Sequence, residues 1–524
     1  MLARAATALA ISLLGGCATL LPAPPSSASY ALADPDQSAI GRGMAALVRA
    51  NDDRSGLHIL ATGREALVAR GALADLAERT LDLQYFSVGD DASTDLLLAR
   101  LLAAAERGVR VRVLLDDIEP TARTFAASAA AAHPAIEARL FNPFRSLGAS
   151  SLFRLGEWLF DGARLNVRMH NKAWIADNAV AVFGSRNLGD AYFDLDQGEG
   201  FTDLDLLAIG PAVRQMSAAF DRYWNSPAAV PIASFAGPPT EQERELTRQF
   251  LQRRLAACAG SPAGAEGAPC RWLGEGALRD ELRSGQLPLR WAPARFVADP
   301  PQAKAAVGFG LMHGHPDGDD DGVQARSELL IVSPYFVPDE AGMAHLARMR
   351  ARGVRVVVLT NSLASTDSVV AHAGYASRRL QLLRAGVELH EFRPQPGLRH
   401  DRRHRWGQAS PASLHTKLIV HDRQRVVVGS ANQDPRSRLH NTESWLTVDS
   451  PELAEELALH VEEGIELLHS FRVQRQVSAS GRESVSWMTI DDGRVLRFDS
   501  EPQASAWLRI WRGLLACVIP EHLL

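Results

Sequence analysis

The sequence predicts an α/β protein made of two duplicated half-domains, each with α-β-α layers, related by a pseudo-twofold axis. The pattern His-x-Lys-x4-Asp occurs at residues 170–177 and again at 415–422, each time followed by Gly-Ser-x-Asn. The run Gly-Val-Arg-Val occurs at 108–111 and at 353–356, and in both copies its glycine lies 62 residues before the histidine. Matched repeats on this scale indicate two copies of one folded unit.

Each unit alternates strands and helices. Apolar, alternating and β-branched runs predict strands, whereas leucine and alanine at helical spacing predict helices. We expect strands, in chain order, at 81–86, 109–115, 328–333, 354–359, 418–420 and 426–428, and helices at 94–106 and 340–351. Strand–helix–strand order favours parallel pairing within a sheet that helices cover.

The chain of 524 residues is long enough for two substantial cores. Composition and the repeat together divide it into a lipoprotein signal peptide at 1–16, a tether at 17–40, the first half-domain at 41–236, a connecting segment at 237–326, the second half-domain at 327–475, and a C-terminal extension with an amphipathic tail at 476–524.

The repeated motif brings basic side chains together. Residues i and i+2 of a strand project to the same side, so His170 and Lys172 should point together, as should His415 and Lys417. A histidine can act as nucleophile or proton donor near neutral pH, and a lysine can hold an anionic oxygen. The two copies therefore predict one shared site with two histidines and two ammonium groups.

The other polar residues of the two copies supply carboxylates, hydroxyls and amides. We expect Asp177 and Asp422 to lie on the strand that returns from each motif, where a carboxylate could orient a histidine. Further candidate site residues are Ser185, Asn187, Asp203, Ser430, Asn432 and Glu443. The whole set suits a phosphodiester: one histidine attacks phosphorus, the other protonates the leaving oxygen, and lysines and amides hold the charge.

The doubled motif resembles the signature of the phospholipase D superfamily, over roughly residues 55–475. The resemblance implies a phosphohistidine intermediate and needs no metal or other cofactor. It makes His170 the nucleophile and His415 the general acid and then the base, with the reverse assignment nearly as well supported. It also implies phosphate-binding roles for Lys172, Lys417, Asn187 and Asn432 and supporting roles for Ser185, Ser430, Asp203 and Glu443.

Three segments, at 201–211, 220–226 and 361–392, are similar to bacterial cardiolipin synthases of the C type. That similarity implies transfer of a phosphatidyl group from one phospholipid to the headgroup alcohol of another, which yields cardiolipin. Two alternatives stay open: a phospholipase D that hydrolyses phospholipids to phosphatidic acid, and a periplasmic nuclease of the same superfamily. The sequence does not identify the two lipids, an accessory protein or the oligomeric state.

The amino terminus predicts where the protein resides. An arginine, an apolar stretch and two glycines precede Cys17, and together they form a signal peptide with a lipobox. Cys17 would then be the lipidated first residue of the mature chain, with an ordinary secretion signal as the alternative. We therefore expect a lipid-anchored, membrane-associated protein of the bacterial cell envelope that faces the periplasm, and Ala18 favours the outer membrane.

Charge and the remaining motifs limit the partners. A net charge of −5 lacks the basic excess of non-specific nucleic-acid binders, although the basic run at 399–405 could meet anionic headgroups or nucleic acid. We therefore expect phospholipids rather than nucleic acid as partners. Cys258 and Cys270 could pair in an oxidising compartment. Apolar residues at 507–515 recur near helical spacing, which fits a helix lying on a bilayer or one docked on the core.

Overall fold

The computed structural model describes residues 27–145, 151–196, 200–259, 268–301, 325–394 and 412–518. Within them the predicted duplication is confirmed, because two half-domains repeat one strand order around three central parallel strands. Cys17, the predicted signal peptide and the basic run at 399–405 lie outside the described residues.

Strands of the first half-domain, with one from the connecting segment, are β1 (Ser55–Leu60), β2 (Thr80–Tyr85), β3 (Arg110–Asp116), β4 (Ile136–Phe141), β5 (Ala173–Ala176), β6 (Val180–Gly184), β7 (Gly200–Thr202), β8 (Asp205–Ile209), β9 (Ala229–Pro231) and β10 (Arg290–Ala292). The strands that follow are β11 (Ala294–Ala298), β12 (Glu328–Val332), β13 (Arg355–Asn361), β14 (Glu388–Phe392), β15 (Ala412–Leu414), β16 (Leu418–His421), β17 (Arg425–Gly429), β18 (Ser444–Asp449), β19 (Ser470–Val477), β20 (Glu483–Asp491) and β21 (Arg494–Phe498).

Two large sheets carry the repeat. In the described residues the first has nine strands in the order β10-β1-β8-β6-β5-β2-β3-β4-β9, and the second has ten in the order β11-β18-β17-β16-β12-β13-β14-β19-β20-β21. Strands β2, β3 and β4 run parallel, as do β12, β13 and β14, whereas β5 and β16 pair antiparallel to them. The predicted parallel pairing thus holds for the central strands of each sheet. The motif strands β5–β6 and β16–β17 form tight hairpins, and these can pair only antiparallel.

Helices cover the sheets. Up to the end of the connecting segment they are α1 (Ala39–Arg49), α2 (Gly63–Leu76), α3 (Ala92–Glu106), α4 (Pro120–Ala132), α5 (Ser151–Leu165), α6 (Pro211–Trp224), α7 (Ala233–Ala236), α8 (Glu241–Ala259), α9 (Ala268–Gly274) and α10 (Ala277–Ser284). Those that follow are α11 (Glu340–Ala351), α12 (Val369–Arg384), α13 (Pro435–Leu439), α14 (Pro451–Ile465) and α15 (Ala506–Val518). None of the described helices combines the length and apolar character needed to cross a membrane.

The two half-domains share one buried core. Its central cluster takes Ile175 and Phe220 from the first half-domain and Val420 and Leu457 from the second. Burying a side chain of this size contributes about 1.5–3 kcal/mol, so the shared cluster holds the two sheets together. Strands β10 and β11 of the connecting segment add an edge strand to the first and second sheet respectively.

The segments outside the repeat also pack on it. The Ala31 N–H donates to the Asp221 carboxylate at 2.9 Å, and Arg112 Nη1 donates to the Ser29 carbonyl at 2.7 Å. Part of the predicted tether, from residue 27 onward, is therefore folded against the first half-domain. Cys258 and Cys270 form a disulfide with their Cα atoms 5.2 Å apart.

The tail helix α15 combines both arrangements that its sequence allows. One side packs against α12. On the other side four apolar residues are 46–71% exposed, namely Trp507, Ile510, Trp511 and Leu514. The tail is thus docked on the second half-domain and still presents an apolar stripe to solvent.

Candidate active site

The two motifs meet because each half-domain hydrogen-bonds to the other beside its histidine. The His170 N–H donates to the Thr442 carbonyl at 2.9 Å, and the Thr442 N–H donates to the Arg168 carbonyl at 2.8 Å. In the other copy the His415 N–H donates to the Thr202 carbonyl at 2.8 Å, and β15 pairs in parallel with β7. Thr442 is followed by Glu443 and Thr202 by Asp203. Each histidine therefore lies beside one of these acidic residues of the opposite half-domain.

Those following residues are carboxylates, and each pairs with a histidine of the other half-domain. His170 Nδ1 lies 2.8 Å from Glu443 Oε2, and His415 Nδ1 lies 2.6 Å from Asp203 Oδ2. A carboxylate at Nδ1 favours the tautomer that carries its proton there, which leaves the Nε2 lone pair free. This crossed pairing makes one site from two half-domains.

Hydroxyl groups hold both carboxylates in place. The Ser185 hydroxyl donates to Asp203, and the Ser430 hydroxyl donates to Glu443. The Ser437 hydroxyl donates to the second oxygen of Glu443 at 2.8 Å. The repeat does not predict Ser437, because the first half-domain carries no matching serine.

The motif aspartates lie elsewhere. Asp177 occupies the tight turn between β5 and β6 and accepts the backbone N–H groups of residues 78–80 at 2.8–3.0 Å. Asp422 accepts those of residues 326–328 in the same way, at 2.7–2.9 Å. The expectation that these carboxylates orient a histidine from a returning strand is therefore wrong. Each one ties the motif hairpin to the start of the neighbouring strand.

The two lysines fold back along their own histidines. Lys172 Nζ donates to the His170 carbonyl and Lys417 Nζ donates to the His415 carbonyl, both at 2.6 Å. Their side chains are almost completely buried. Each ammonium keeps further N–H donors that can meet an anionic oxygen.

The two asparagines differ in their bonding. Asn187 Oδ1 accepts the Ser87 N–H at 3.2 Å, and Asn187 Nδ2 donates to the Tyr192 hydroxyl at 3.0 Å. Asn432 is also buried, but its Oδ1 has no hydrogen-bond partner among the described residues. The pseudo-symmetry is therefore broken at this pair.

Aromatic rings enclose the histidines. The Phe86 ring meets His170 edge-on with centroids 4.8 Å apart, and the rings of Tyr192 and Phe201 lie 5.4 and 5.3 Å from His415. Phe86 belongs to a Tyr-Phe pair that occurs in both halves, which was an available signal, whereas nothing in the repeat marks Tyr192 or Phe201. These apolar rings lower the local dielectric around the histidines, which strengthens the electrostatic interactions between the charged groups of the site.

Burial and mutual repulsion lower the pKa values of the basic groups. Burial, followed by the charges of Lys172 and Lys417, lowers the pKa of His170 well below its usual value. Burial also lowers the pKa of Lys172 to about 7 and that of Lys417 to about 8. The pKa of His415 falls for the same reason, although Asp203 opposes the change. A bound phosphate would relieve this repulsion, so the site is built for an anion.

Arg436 adds positive charge that the repeat does not predict. Its Nη1 donates to Asn166 Oδ1 at 3.3 Å, and its charge adds to burial, the lysines and His415 in lowering the pKa of His170. Burial lowers the pKa of Arg436 itself. The His170 side of the site is therefore more cationic than its counterpart.

A cavity of about 440 Å³ adjoins the His415 side. Its lining includes Ser87, Tyr192, Glu119 and Asp190. Among the described residues no group of three histidine, cysteine or acidic side chains is arranged to hold a metal ion. Asn187 contacts two of the lining residues, Ser87 and Tyr192.

The chain is similar to several known proteins. A family model described as "Cardiolipin synthase, PLD-like domain" matches residues 72–224 and 323–464. The chain is 38% identical over 476 residues to cardiolipin synthase C of Escherichia coli strain K12, covering 90% of this chain and 96% of that relative. It is 27% identical over 416 residues to cardiolipin synthase A of Pseudomonas aeruginosa strain LESB58, covering 78% and 67% respectively. The crystal structure of phosphatidylserine synthase from Haemophilus influenzae Rd KW20 covers 82% of this chain and 91% of its own, with a TM-score of 0.49 and 11% identity.

The family match spans more than half of the chain and includes both histidine motifs with Asp203 and Glu443. The similarity to cardiolipin synthase C extends over nearly the full length of both proteins. The chain therefore belongs to the phospholipase D superfamily and is an enzyme of its cardiolipin synthase-like branch.

Proposed function

We propose that the enzyme makes cardiolipin by transferring a phosphatidyl group between two phospholipids through a phosphohistidine intermediate. The observation that supports this most directly is the crossed pairing of His170 with Glu443 and of His415 with Asp203 in one buried cationic site. Two histidines at one phosphorus allow a reaction in two displacements. The similarity to cardiolipin synthase C supports a second phospholipid, rather than water, as the acceptor.

In the first displacement the Nε2 lone pair of His170 attacks the phosphorus of the donor lipid. The P–O bond to the headgroup breaks, and protonated His415 gives its Nε2 proton to the leaving oxygen. The products are phosphatidyl-His170 and the free headgroup alcohol. Lys172 and Lys417 stabilise the charge on the non-bridging oxygens, where one such donor typically contributes about 2.7–4 kcal/mol.

In the second displacement neutral His415 takes the proton from the headgroup hydroxyl of the acceptor lipid. The resulting oxygen attacks phosphorus, the P–N bond to His170 breaks, and cardiolipin leaves. Both histidines then return to their starting protonation states. Water in place of the lipid alcohol would give phosphatidic acid by the same steps.

The electrostatics support His170 as the nucleophile. Burial and then the neighbouring cations lower the pKa of His170 well below its usual value, which favours the neutral form that a nucleophile needs. For His415 the pKa is lowered less, because Asp203 favours its charged form. Burial alone would raise the pKa of Asp203, but the charge of His415 lowers it below the usual value, so this carboxylate stays ionised. His415 is thus the better proton carrier.

We propose further that the protein is a lipid-anchored, membrane-associated protein of the bacterial cell envelope. The lipobox at Cys17 is the sequence feature behind this proposal. The Cys258–Cys270 disulfide agrees with an oxidising compartment. The exposed apolar stripe of α15 suits contact with a membrane surface.

The decisive experiment incubates the full-length protein with vesicles of phosphatidylglycerol and phosphatidylethanolamine and identifies the products by mass spectrometry. Cardiolipin that disappears in the His170→Ala variant would support the transfer reaction. Phosphatidic acid alone would make the enzyme a hydrolase, and cleavage of DNA without any lipid product would favour the nuclease. A fully active His170→Ala protein would refute the assigned nucleophile.

A further inference from the structure

Helix α5 presents its apolar side to solvent. A surface helix normally packs its apolar face on the core and exposes its polar face. On α5 the side chains of Leu155, Trp158, Leu159 and Phe160 are instead 57%, 41%, 73% and 93% exposed. A cluster of exposed large apolar residues marks a surface that interacts with something other than water.

The polar side of α5 faces the protein. Glu157 accepts the backbone N–H of Arg145 at 2.8 Å, and Arg164 Nη1 donates to Asn142 Oδ1 at 2.7 Å. Arg154 donates to the carbonyl of Asp117, which directly follows β3. These polar contacts hold the helix in an orientation that points its apolar residues outward.

Helix α5 also leads into the active site. Asn142 Nδ2 donates to the carbonyls of Arg164 and Val167 at 2.8 and 2.7 Å, which fixes the end of the helix next to β4. His170 follows five residues after the last residue of α5. The exposed apolar residues therefore lie in the segment that leads to His170, and the non-helical Asp161 separates them from the end of α5.

A positively charged side chain lies at the C-terminal end of α5. Arg436 donates to Asn166, the residue that follows α5, and among the described residues it forms no ion pair with a carboxylate. A guanidinium at the end of a helix that carries exposed aromatic and aliphatic side chains matches the chemistry of a bilayer surface, where phosphates lie above acyl chains.

We propose that the exposed face of α5 docks the enzyme on a phospholipid bilayer and brings substrate lipids to His170. Leu155, Trp158, Leu159 and Phe160 enter the boundary between headgroups and acyl chains, and Arg436 meets a lipid phosphate. This inference rests on the lipid-directed activity proposed above. It adds the surface through which the enzyme reaches its substrate.

The test measures the activity of full-length variants on two lipid substrates. The variant Trp158→Ser/Leu159→Ser/Phe160→Ser removes the apolar face, and Leu246→Ser/Phe250→Ser removes exposed apolar residues of α8 as the matched control. One substrate is phosphatidylglycerol in vesicles, and the other is a dibutyryl phosphatidylglycerol below its micelle-forming concentration. We expect kcat/KM on vesicles to fall roughly tenfold or more in the α5 variant, whereas the rate on the soluble lipid stays within about twofold.

Equal losses on both substrates would overturn the proposal, because α5 would then support the site itself, and so would an unchanged rate on vesicles. Hydrogen exchange on the inactive His170→Ala protein supplies a readout without turnover. Vesicles should slow amide exchange across residues 151–165 and leave α8 unchanged, and no change in α5 would also overturn the docking role. Slower exchange in α5 of the His170→Ala protein, combined with no lipid product from the unsubstituted enzyme, would retain the docking surface and refute the proposed function.

Discussion

Replacing Glu443 with glutamine tests how this carboxylate acts on His170. Its Oε2 accepts from His170 Nδ1 at 2.8 Å and from the Ser430 hydroxyl, and its Oε1 accepts from the Ser437 hydroxyl at 2.8 Å. In the variant the amide oxygen can stay at the Oε2 position while the amide nitrogen donates to the Ser437 oxygen. His170 would then keep its tautomer and lose only the negative charge of its partner.

The expected loss follows from the strength of that one hydrogen bond. Bonds to charged groups contribute about 1.5–3 kcal/mol and neutral bonds about 0.5–1.5 kcal/mol. Glu443→Gln should therefore remove about 1–2 kcal/mol of transition-state stabilisation, which lowers kcat/KM roughly 5- to 30-fold. If the amide nitrogen faced Nδ1 instead, the wrong tautomer would form and the loss would be on the order of 10⁴-fold, as in the corresponding change of a serine protease triad.

Two donor lipids with different leaving groups allow the assay to separate an effect on the nucleophile from an effect on the general acid. Phosphatidyl-p-nitrophenol releases an anion that needs no proton, whereas phosphatidylglycerol needs an acid. The matched variant Asp203→Asn acts through His415 and should slow phosphatidylglycerol much more than the nitrophenyl lipid. Glu443→Gln should slow both donors equally. The opposite pattern, or full activity of Glu443→Gln on both lipids, would refute the assignment of nucleophile and acid.

Three further predictions concern the turn, the edge of the site and the disulfide. Asp177→Asn should lower the free energy of unfolding by about 1–3 kcal/mol yet preserve kcat, because the buried carboxylate accepts three backbone N–H groups; a lost kcat with unchanged urea unfolding would contradict this. Arg436→Gln should raise the pKa of His170 toward its usual value, so the acid limb of the kcat/KM profile should move to higher pH, and a limb that stays or falls would count against it. Serine at both Cys258 and Cys270 should lower stability by about 2–4 kcal/mol, measured by thermal unfolding, with turnover retained; an unchanged Tm would contradict this.

The repeat made much of the site predictable. Equal spacing in two copies requires equal local folds, so the histidines, lysines and serines could be identified without any structure. The motif aspartates were assigned the wrong role, because a motif states spacing but not the direction of a side chain in a tight turn. Asp177 and Asp422 both adopt positive φ in those turns, and this orientation turns their carboxylates toward backbone N–H groups.

Site residues that occur in only one half-domain could not be identified from the repeat. Tyr192, Phe201 and Ser437 each contact the site in only one half-domain, and Arg436 acts on His170 through its charge from one half-domain, so comparison of the halves does not reveal them. The exposed face of α5 was missed for a related reason. Its apolar residues would normally predict a buried face, and only the packing of its polar side shows that they point outward.

By itself, the sequence determined the duplication, the alternation of strands and helices, and the residue types available for phosphoryl transfer, because these depend on local periodicity and spacing. Only the tertiary structure decided which carboxylate serves which histidine. Glu443 lies 273 residues from His170, and Asp203 lies 212 residues from His415. Such contacts form when the half-domains pack across their shared core and exchange backbone hydrogen bonds, and no local pattern specifies that geometry.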